Sequence, residues 1–347
     1  VISLSEFLSL RNTLPVVDVR SPVEFEQGHI RGAVSIPLLN NEERVAVGTD
    51  YKQKGQAEAI KTGFRLVGPR LEEIVSDAEK ISDGRELLVH CWRGGMRSNN
   101  FCKFISMARI KSKSLTGGYK AYRQFAFEVF KKPLPLVLLT GFTGSGKSEI
   151  LRELKNQGEQ ILDLENLAHH KGSVFGGLLM PPQPTTEQFQ NELMEEIIML
   201  DPTKRIWVED EAIAIGKIFL PEDFWTTMCA APIVKMNVEK DVRIKRLVNE
   251  YGDANRGEFL EAMTKVTKKL GGQHFNTAKE KLQQGDMAAT IDILLTYYDK
   301  AYFNSNETKK ERIKHLIPWD GMAADRLAKE LANLALPIPH TNSISTC

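Results

Sequence analysis

Residues 87–98 read Leu-Leu-Val-His-Cys-Trp-Arg-Gly-Gly-Met-Arg-Ser. An apolar run ends at Cys91, and two arginines and two glycines follow. Thiolate, not thiol, is the nucleophile, and nearby Arg side chains and a helix N-terminus lower a Cys pKa. Gly94 and Gly95 let the backbone curl so that successive N–H groups converge on one point, a nest suited to an oxyanion above the sulfur. Cys91 is therefore the candidate nucleophile. Arg93 and Arg97 are its catalytic partners, and Gly94, Gly95 and Ser98 complete the anion loop. The spacing His90-Cys91-x5-Arg97-Ser98 suits a tetrahedral anion of phosphate size. By itself it leaves phosphate hydrolysis and chalcogen transfer both open.

A second loop follows about fifty residues on. Gly141-x4-Gly146-Lys147-Ser148 meets the full phosphate-loop pattern. Its candidate binding residues are Gly141, Thr143, Gly144, Ser145, Gly146, Lys147 and Ser148. Backbone N–H groups at a helix start hold phosphate oxygens, and Lys147 adds a point charge. Ser148 could ligate Mg²⁺. Asp210, at the end of the apolar run 205–208, stands where a metal-orienting carboxylate is expected, with Glu209 and Glu211 as competitors. No metal site is certain. ATP is the default ligand of such a loop, and a diphosphate on another carbon skeleton would fit the same cradle. Residues 163–177 form a polar, Gly-rich run read as a substrate loop, with Asp163, Glu165, His170 and Ser173 as candidates. Arg243 and Arg246, on a basic helix, could close over phosphates or touch RNA, or simply be solvated.

The elements that position these residues form two α/β units. In the first, strands are expected over 14–19, 87–89 and 114–116, with helices over 70–80, 98–107 and 120–130. In the second, strands are expected over 136–139, 160–164, 205–208, 233–238 and 315–318. Helices follow the phosphate loop and cover much of 255–310 and 321–335. Strands alternating with helices imply mostly parallel sheets. Lys131-Lys132-Pro133-Leu134-Pro135 marks the boundary, because prolines end the preceding helix. The expected domains are 1–132 and 133–347, with a frayed tail over 337–347.

The chain has 347 residues, 42% hydrophobic and 26% charged, with a net charge of +1. That excludes a fibrous or disordered class. No apolar run is long enough to span a bilayer, and the first residues lack the pattern of a signal peptide. The four cysteines suggest neither a metal pair nor a disulfide framework. Reduced thiols, no membrane association and a cytoplasmic location are the expectation. Cys102 reads as core filling.

Val17-Asp18-Val19-Arg20, Glu24-Phe25, Gly28-His29-Ile30-Arg31-Gly32-Ala33 and Ile36-Pro37 resemble the opening signature of rhodanese domains. Gly117-Gly118-Tyr119 resembles their closing signature. The Cys91 loop departs from the usual sulfurtransferase loop, since its Cys-x5-Arg spacing is that of cysteine phosphatases, including those built on the rhodanese fold. The two loops in this order resemble the bacterial tRNA 2-selenouridine synthase family. So do Pro37–Thr49, Tyr51–Gly55, Asp163–Gly176 and Trp207–Glu211. The fold expected is α/β: an N-terminal rhodanese-like parallel-sheet domain and a C-terminal P-loop α/β/α domain with a helical extension.

The resemblance implies that tRNA bearing wobble 2-thiouridine is geranylated from geranyl diphosphate. Selenium from selenophosphate then replaces the S-geranyl group through a Cys91 perselenide. It also implies no tightly bound cofactor beyond a Mg²⁺ ion admitted by the phosphate loop, and an enzyme supplying selenophosphate as a partner. The phosphate loop would hold the geranyl diphosphate. A tRNA or small-molecule sulfurtransferase using a Cys91 persulfide, and a cysteine phosphatase fused to a kinase-like domain, are the alternative readings.

Overall fold

The computed structural model describes residues 1–336, without the side chains of 301–308. Cys347 and the expected frayed tail lie outside the described residues. The chain divides into two compact units, Val1–Val129 and Phe130 onward. No helix among the described residues is long and apolar enough to cross a membrane.

The first unit holds a four-stranded parallel sheet. Its strands are β1 (Val16–Asp18), β2 (Ala33–Ser35), β3 (Leu87–His90) and β4 (Ser112–Ser114), in the order β2-β1-β3-β4. Both β1 and β3 are buried along their whole length, as expected of central strands covered on both faces. Their register sets Asp18 beside His90, so the turns after β1 and β3 leave the sheet at the same edge. Val17, Val19, Val89, Phe101 and Ile105 pack one face of this sheet. Strand β4 begins and ends two residues before the expected 114–116, because pairing with Leu87–Val89 fixes its register. Two helices that periodicity did not reveal, Asn41–Lys54 and Gln56–Val67, stand between β2 and β3. The first starts at a capping box: Asn40 accepts from Glu43 N–H at 2.9 Å and Glu43 accepts from Asn40 N–H at 2.8 Å.

The second unit holds a five-stranded sheet of β5 (Leu136–Thr140), β6 (Gln160–Leu162), β7 (Ile206–Glu209), β10 (Ile233–Val238) and β11 (Ile313–Trp319). The order is β11-β10-β5-β7-β6, with every pairing parallel. A short antiparallel pair, β8 (Ala214–Ile215) and β9 (Ile218–Phe219), stands apart. Chain order reverses around β5, whose neighbours β7 and β10 run off to opposite sides. A crevice opens at the carboxyl ends of strands at such a switch point, and the phosphate loop leaves β5 there. The helices over 256–308 pack around Phe259, Met263, Leu294 and Leu295 in an apolar cluster that also takes in Phe175, Leu247 and Tyr251.

Candidate active site

The Cys91 loop is built by two elements. Strand β3 delivers the sulfur, and the helix Met96–Met107 begins right after the loop. The loop's outer side is tied to the Gly117-Gly118-Tyr119 turn. Tyr119 N–H donates to the Cys91 carbonyl and Lys120 N–H to that of Trp92, both at 2.8 Å. In a trans peptide the N–H points opposite to the carbonyl, so holding the Trp92 carbonyl outward turns Arg93 N–H inward. A side chain at Gly94 would meet the Leu115 carbonyl at 2.3 Å, and its φ is +64°. Both facts require glycine.

Cys91 is buried, and its Sγ lies 3.3 Å from Ser98 Oγ. Burial raises the thiol pKa, but hydrogen bonds from the Ser98 side chain and from the Ser98, Gly95 and Arg93 N–H groups outweigh it and leave it lowered. This is the convergent nest expected of the loop. The arginines are less symmetric than expected. Arg93 is exposed. Arg97 donates to Glu24 at 2.6 and 3.2 Å, and Arg44 lies 3.3 Å from the same carboxylate. Arg97 is therefore paired with an internal carboxylate. Glu24 belongs to the opening signature, yet its role could be found only through the fold, because 73 residues separate it from Arg97.

Burial pushes Glu24 up, but the Arg97 hydrogen bonds and charge overcome it and hold the carboxyl at about 2, against an ordinary 4.5. A lowered carboxyl stabilises the fold fully above pH 4.5, and that stability is lost as pH falls towards 2. With screening allowed for, the contribution is on the order of 1–2 kcal/mol. Thermal melts between pH 6 and pH 3 should show a smaller acid loss for Glu24→Gln than for the parent protein. Equal losses would mean that the Arg97 pair contributes nothing to stability.

Behind the loop lies a fully buried polar layer. Arg20 Nε and Nη2 grip Asp18 at 2.6–3.0 Å, Nη2 also reaches the Gly28 carbonyl at 2.6 Å, and the guanidinium lies 3.8 Å over the Tyr119 ring. This layer joins the opening and closing signatures. His90 is completely buried, with Nε2 3.7 Å from Asp18 Oδ2, beyond hydrogen-bond distance. Burial lowers its pKa and outweighs Asp18, so His90 supports the loop as a neutral ring.

The second candidate site is a cavity of about 540 Å³. It joins Thr143, Gly144, Gly146, Lys147 and Ser148 to Asp163, Glu165 and Ser173. The phosphate loop and the proposed substrate loop thus form one site. Gly144 has φ +81°, and a side chain there would press on Leu247 at 2.9 Å. Lys147 is buried, with Nζ 3.4 Å from the Gly141 carbonyl. Ser145 Oγ is buried without a hydrogen-bond partner among the described residues. Ser148 Oγ donates to Glu165 at 2.7 Å.

The acidic triplet splits three ways. Asp210 accepts from Lys309 at 2.7 and 2.8 Å and does not line the cavity. Glu209 accepts from Leu164 N–H at 3.0 Å, and burial, then Asp163 and Glu165, raises its pKa. Glu211 is pushed up to about 8, by burial first and then by Glu165, with Lys147 pulling the other way. The carboxylate touching Ser148 is therefore Glu165, where the strand-end spacing pointed to Asp210. Chain distance hides this, since Glu165 follows a different strand. No three His, Cys, Asp or Glu side chains gather as a metal cage among the described residues. Ser148 and Glu165 offer the oxygen pair that a Mg²⁺ ion would use if phosphates and water supplied its other ligands.

The basic helix is the stretch Lys240–Tyr251. Arg243 is buried, pairs with Asp299 through two bonds of 2.8 Å, and reaches the Thr143 carbonyl at 3.3 Å. Arg246 pairs with Glu149 and lies over Trp319. Both arginines therefore serve the phosphate loop and are not simply solvated. His170 does not line the cavity; it is half-buried, and burial lowers its pKa. Cys102 is partly buried against the core, and burial raises its thiol.

Family models match both halves. Residues 3–125 match the rhodanese-like domain, and residues 134–324 match the tRNA 2-selenouridine synthase AAA domain. A protein of Shewanella halifaxensis named tRNA 2-selenouridine synthase is 32% identical, covering 87% of this chain and 91% of that one. The chain belongs to the tRNA 2-selenouridine synthase family. Proteins of the same name from Shewanella sediminis (34% identical, 86% of this chain, 89% of that one) and Nitrosomonas europaea (30%, 89% and 93%) agree over nearly their full lengths. Membership of this family accounts for the joining of a thiolate nest and a phosphate cradle in one chain.

Proposed function

We propose that this chain is a transferase that makes 2-selenouridine in tRNA in two steps. The phosphate loop first binds geranyl diphosphate. The sulfur of wobble 2-thiouridine attacks the geranyl carbon that bears the diphosphate, the C–O bond breaks, and the base loses its N3 proton. Lys147 and the loop N–H groups stabilise the departing diphosphate. The second step is displacement at C2 of the base: a selenium nucleophile adds, geranylthiolate leaves, and N3 regains its proton. Alkylation makes sense of the order, because a neutral thione sulfur leaves poorly. Any Mg²⁺ held through Ser148 and Glu165 would supply charge to the diphosphate.

Cys91 releases selenium from selenophosphate, and electron balance narrows how. Selenium there is already at the selenide level. A Cys91 perselenide would require the loss of two electrons, and the reaction supplies no acceptor. A neutral route has the thiolate attack phosphorus. The P–Se bond breaks with its electron pair on selenium, and the selenide attacks C2. Water then cleaves the S–P bond and releases phosphate. The observation that supports this reading is the nest itself: three N–H groups around a lowered thiol, with the His-Cys-x5-Arg spacing of enzymes that form phosphocysteine.

The test is nucleoside mass spectrometry of an RNA stem-loop bearing 2-thiouridine, incubated with the full chain, geranyl diphosphate and selenophosphate. S-geranyl-2-thiouridine should appear first and 2-selenouridine second. Hydrolysis of an aryl phosphate with no change to the RNA would favour the phosphatase reading.

A further inference from the structure

The first unit contains a second cavity, of about 570 Å³, that the chemistry above leaves unused. It lies between the helices Asn41–Lys54 and Gln56–Val67 and the start of Met96–Met107. Its size is that of a small-molecule site. Its walls are mainly hydrocarbon, from residues such as Val47, Ile60, Phe64, Val67 and Phe104, while Arg44, Lys52 and Arg97 bring positive charge.

Two further observations show that much of this apolar surface is left uncovered among the described residues. The helix Asn41–Lys54, fourteen residues long, has no buried residue at all. A helix in a folded domain ordinarily owes its place to a buried apolar face. Here Val47 is only partly buried against the core, and Val45 and Tyr51 are 61% and 52% exposed and line the cavity. Phe64 and Met96, on the other helices, also line it and are 58% and 47% exposed. Exposed apolar side chains gathered on one concave surface mark a binding site.

We infer that this cavity holds the prenyl chain of the S-geranyl base while its C2 reacts at the Cys91 loop. The inference rests on the two-step reading above. An acyclic prenyl chain could arrive on free geranyl diphosphate or on the base. Position selects the base. Met96 and Arg97 line the cavity, and the adjoining Ser98 holds Cys91 Sγ at 3.3 Å. A chain seated against Met96 places its sulfur next to the nest. The phosphate-loop cavity, nearly equal in volume, is more polar: Lys147, Arg152, Glu165, Lys171 and Glu250 line it beside Leu247 and Tyr251, which suits a chain that arrives with its diphosphate head. Arg44 and Lys52 complement the phosphates of the RNA that carries the chain.

Gly48 provides the test. It lies within the helix Asn41–Lys54 and lines the cavity, and a side chain there meets nothing within 4 Å. Gly48→Leu therefore fills the cavity while favouring the helix. A second variant, Phe64→Ser, alters an exposed wall residue. Each full-length protein is assayed separately for geranyl transfer from geranyl diphosphate to 2-thiouridine RNA, and for selenation of pre-made S-geranyl RNA.

The expected result is a KM for S-geranyl RNA raised at least tenfold in both variants, against less than twofold for either substrate of geranyl transfer. Gly48→Leu should also shift preference towards the shorter S-dimethylallyl RNA. An unchanged KM and chain-length preference in an active enzyme would overturn the cavity assignment and leave the two-step reading standing. A defect confined to geranyl diphosphate would overturn it in favour of the free donor. A change of oligomeric state by light scattering with unchanged KM would make the surface a contact between copies of this chain. If the parent protein performs neither step, the two-step reading itself fails.

Discussion

Cys91→Ser should abolish selenation, by about a thousandfold or more, while geranyl transfer continues and S-geranyl RNA accumulates. The hydroxyl is nearly isosteric, so the nest formed by Arg93, Gly95 and Ser98 should persist. What is lost is the nucleophile. A serine hydroxyl is a poor nucleophile without an adjacent base, and the neighbouring His90 is buried, neutral and held away from the loop surface. The assay compares both half-reactions on one RNA, with circular dichroism to check the fold. Normal selenation by the variant would remove Cys91 from the chemistry. The parent enzyme, quenched in acid during turnover with selenophosphate, should carry a phosphoryl group on Cys91. A selenium adduct there instead would restore the perselenide and demand an oxidant.

The sequence revealed the two loops because each is contiguous. Gly141–Ser148 and His90–Ser98 carry their glycines, charges and nucleophile within one short stretch each, and backbone N–H groups come with the chain. The parallel sheets were readable for a similar reason: buried strands such as Leu87–Leu88–Val89 and Leu136–Leu139 are unbroken apolar runs. What escaped was set by long-range pairing. Glu24 meets Arg97, Arg243 meets Asp299, and Glu165 meets Ser148 only after elements far apart in the chain converge. The same convergence leaves Asp210 with Lys309. The helix Asn41–Lys54 escaped because it buries no face and so has no apolar period to read. Its start was nevertheless written in Asn40 and Glu43, a capping pair that needs no tertiary partner.

Lys147→Ala should produce the converse phenotype: geranyl transfer falls about tenfold to a hundredfold, while selenation of pre-geranylated RNA stays near the parent rate. A charge-assisted contact contributes about 1.5–3 kcal/mol, and each 1.4 kcal/mol is a factor of ten. The loss should fall mainly on kcat, because negative charge on the diphosphate grows as the C–O bond breaks and Lys147 is worth most at that point. Lys147 also opposes the upward push that burial and Glu165 exert on Glu211, so without the ammonium Glu211 holds its proton more firmly, which offsets a small part of the lost positive charge. Lys147→Arg should recover part of the activity by restoring charge, limited by the fit of a wider head group in a buried position. The decisive comparison is donor against nucleotide. If Lys147→Ala geranylates normally but loses an ATP-dependent turnover, the loop serves a nucleotide, and the diphosphate of the prenyl donor must bind elsewhere.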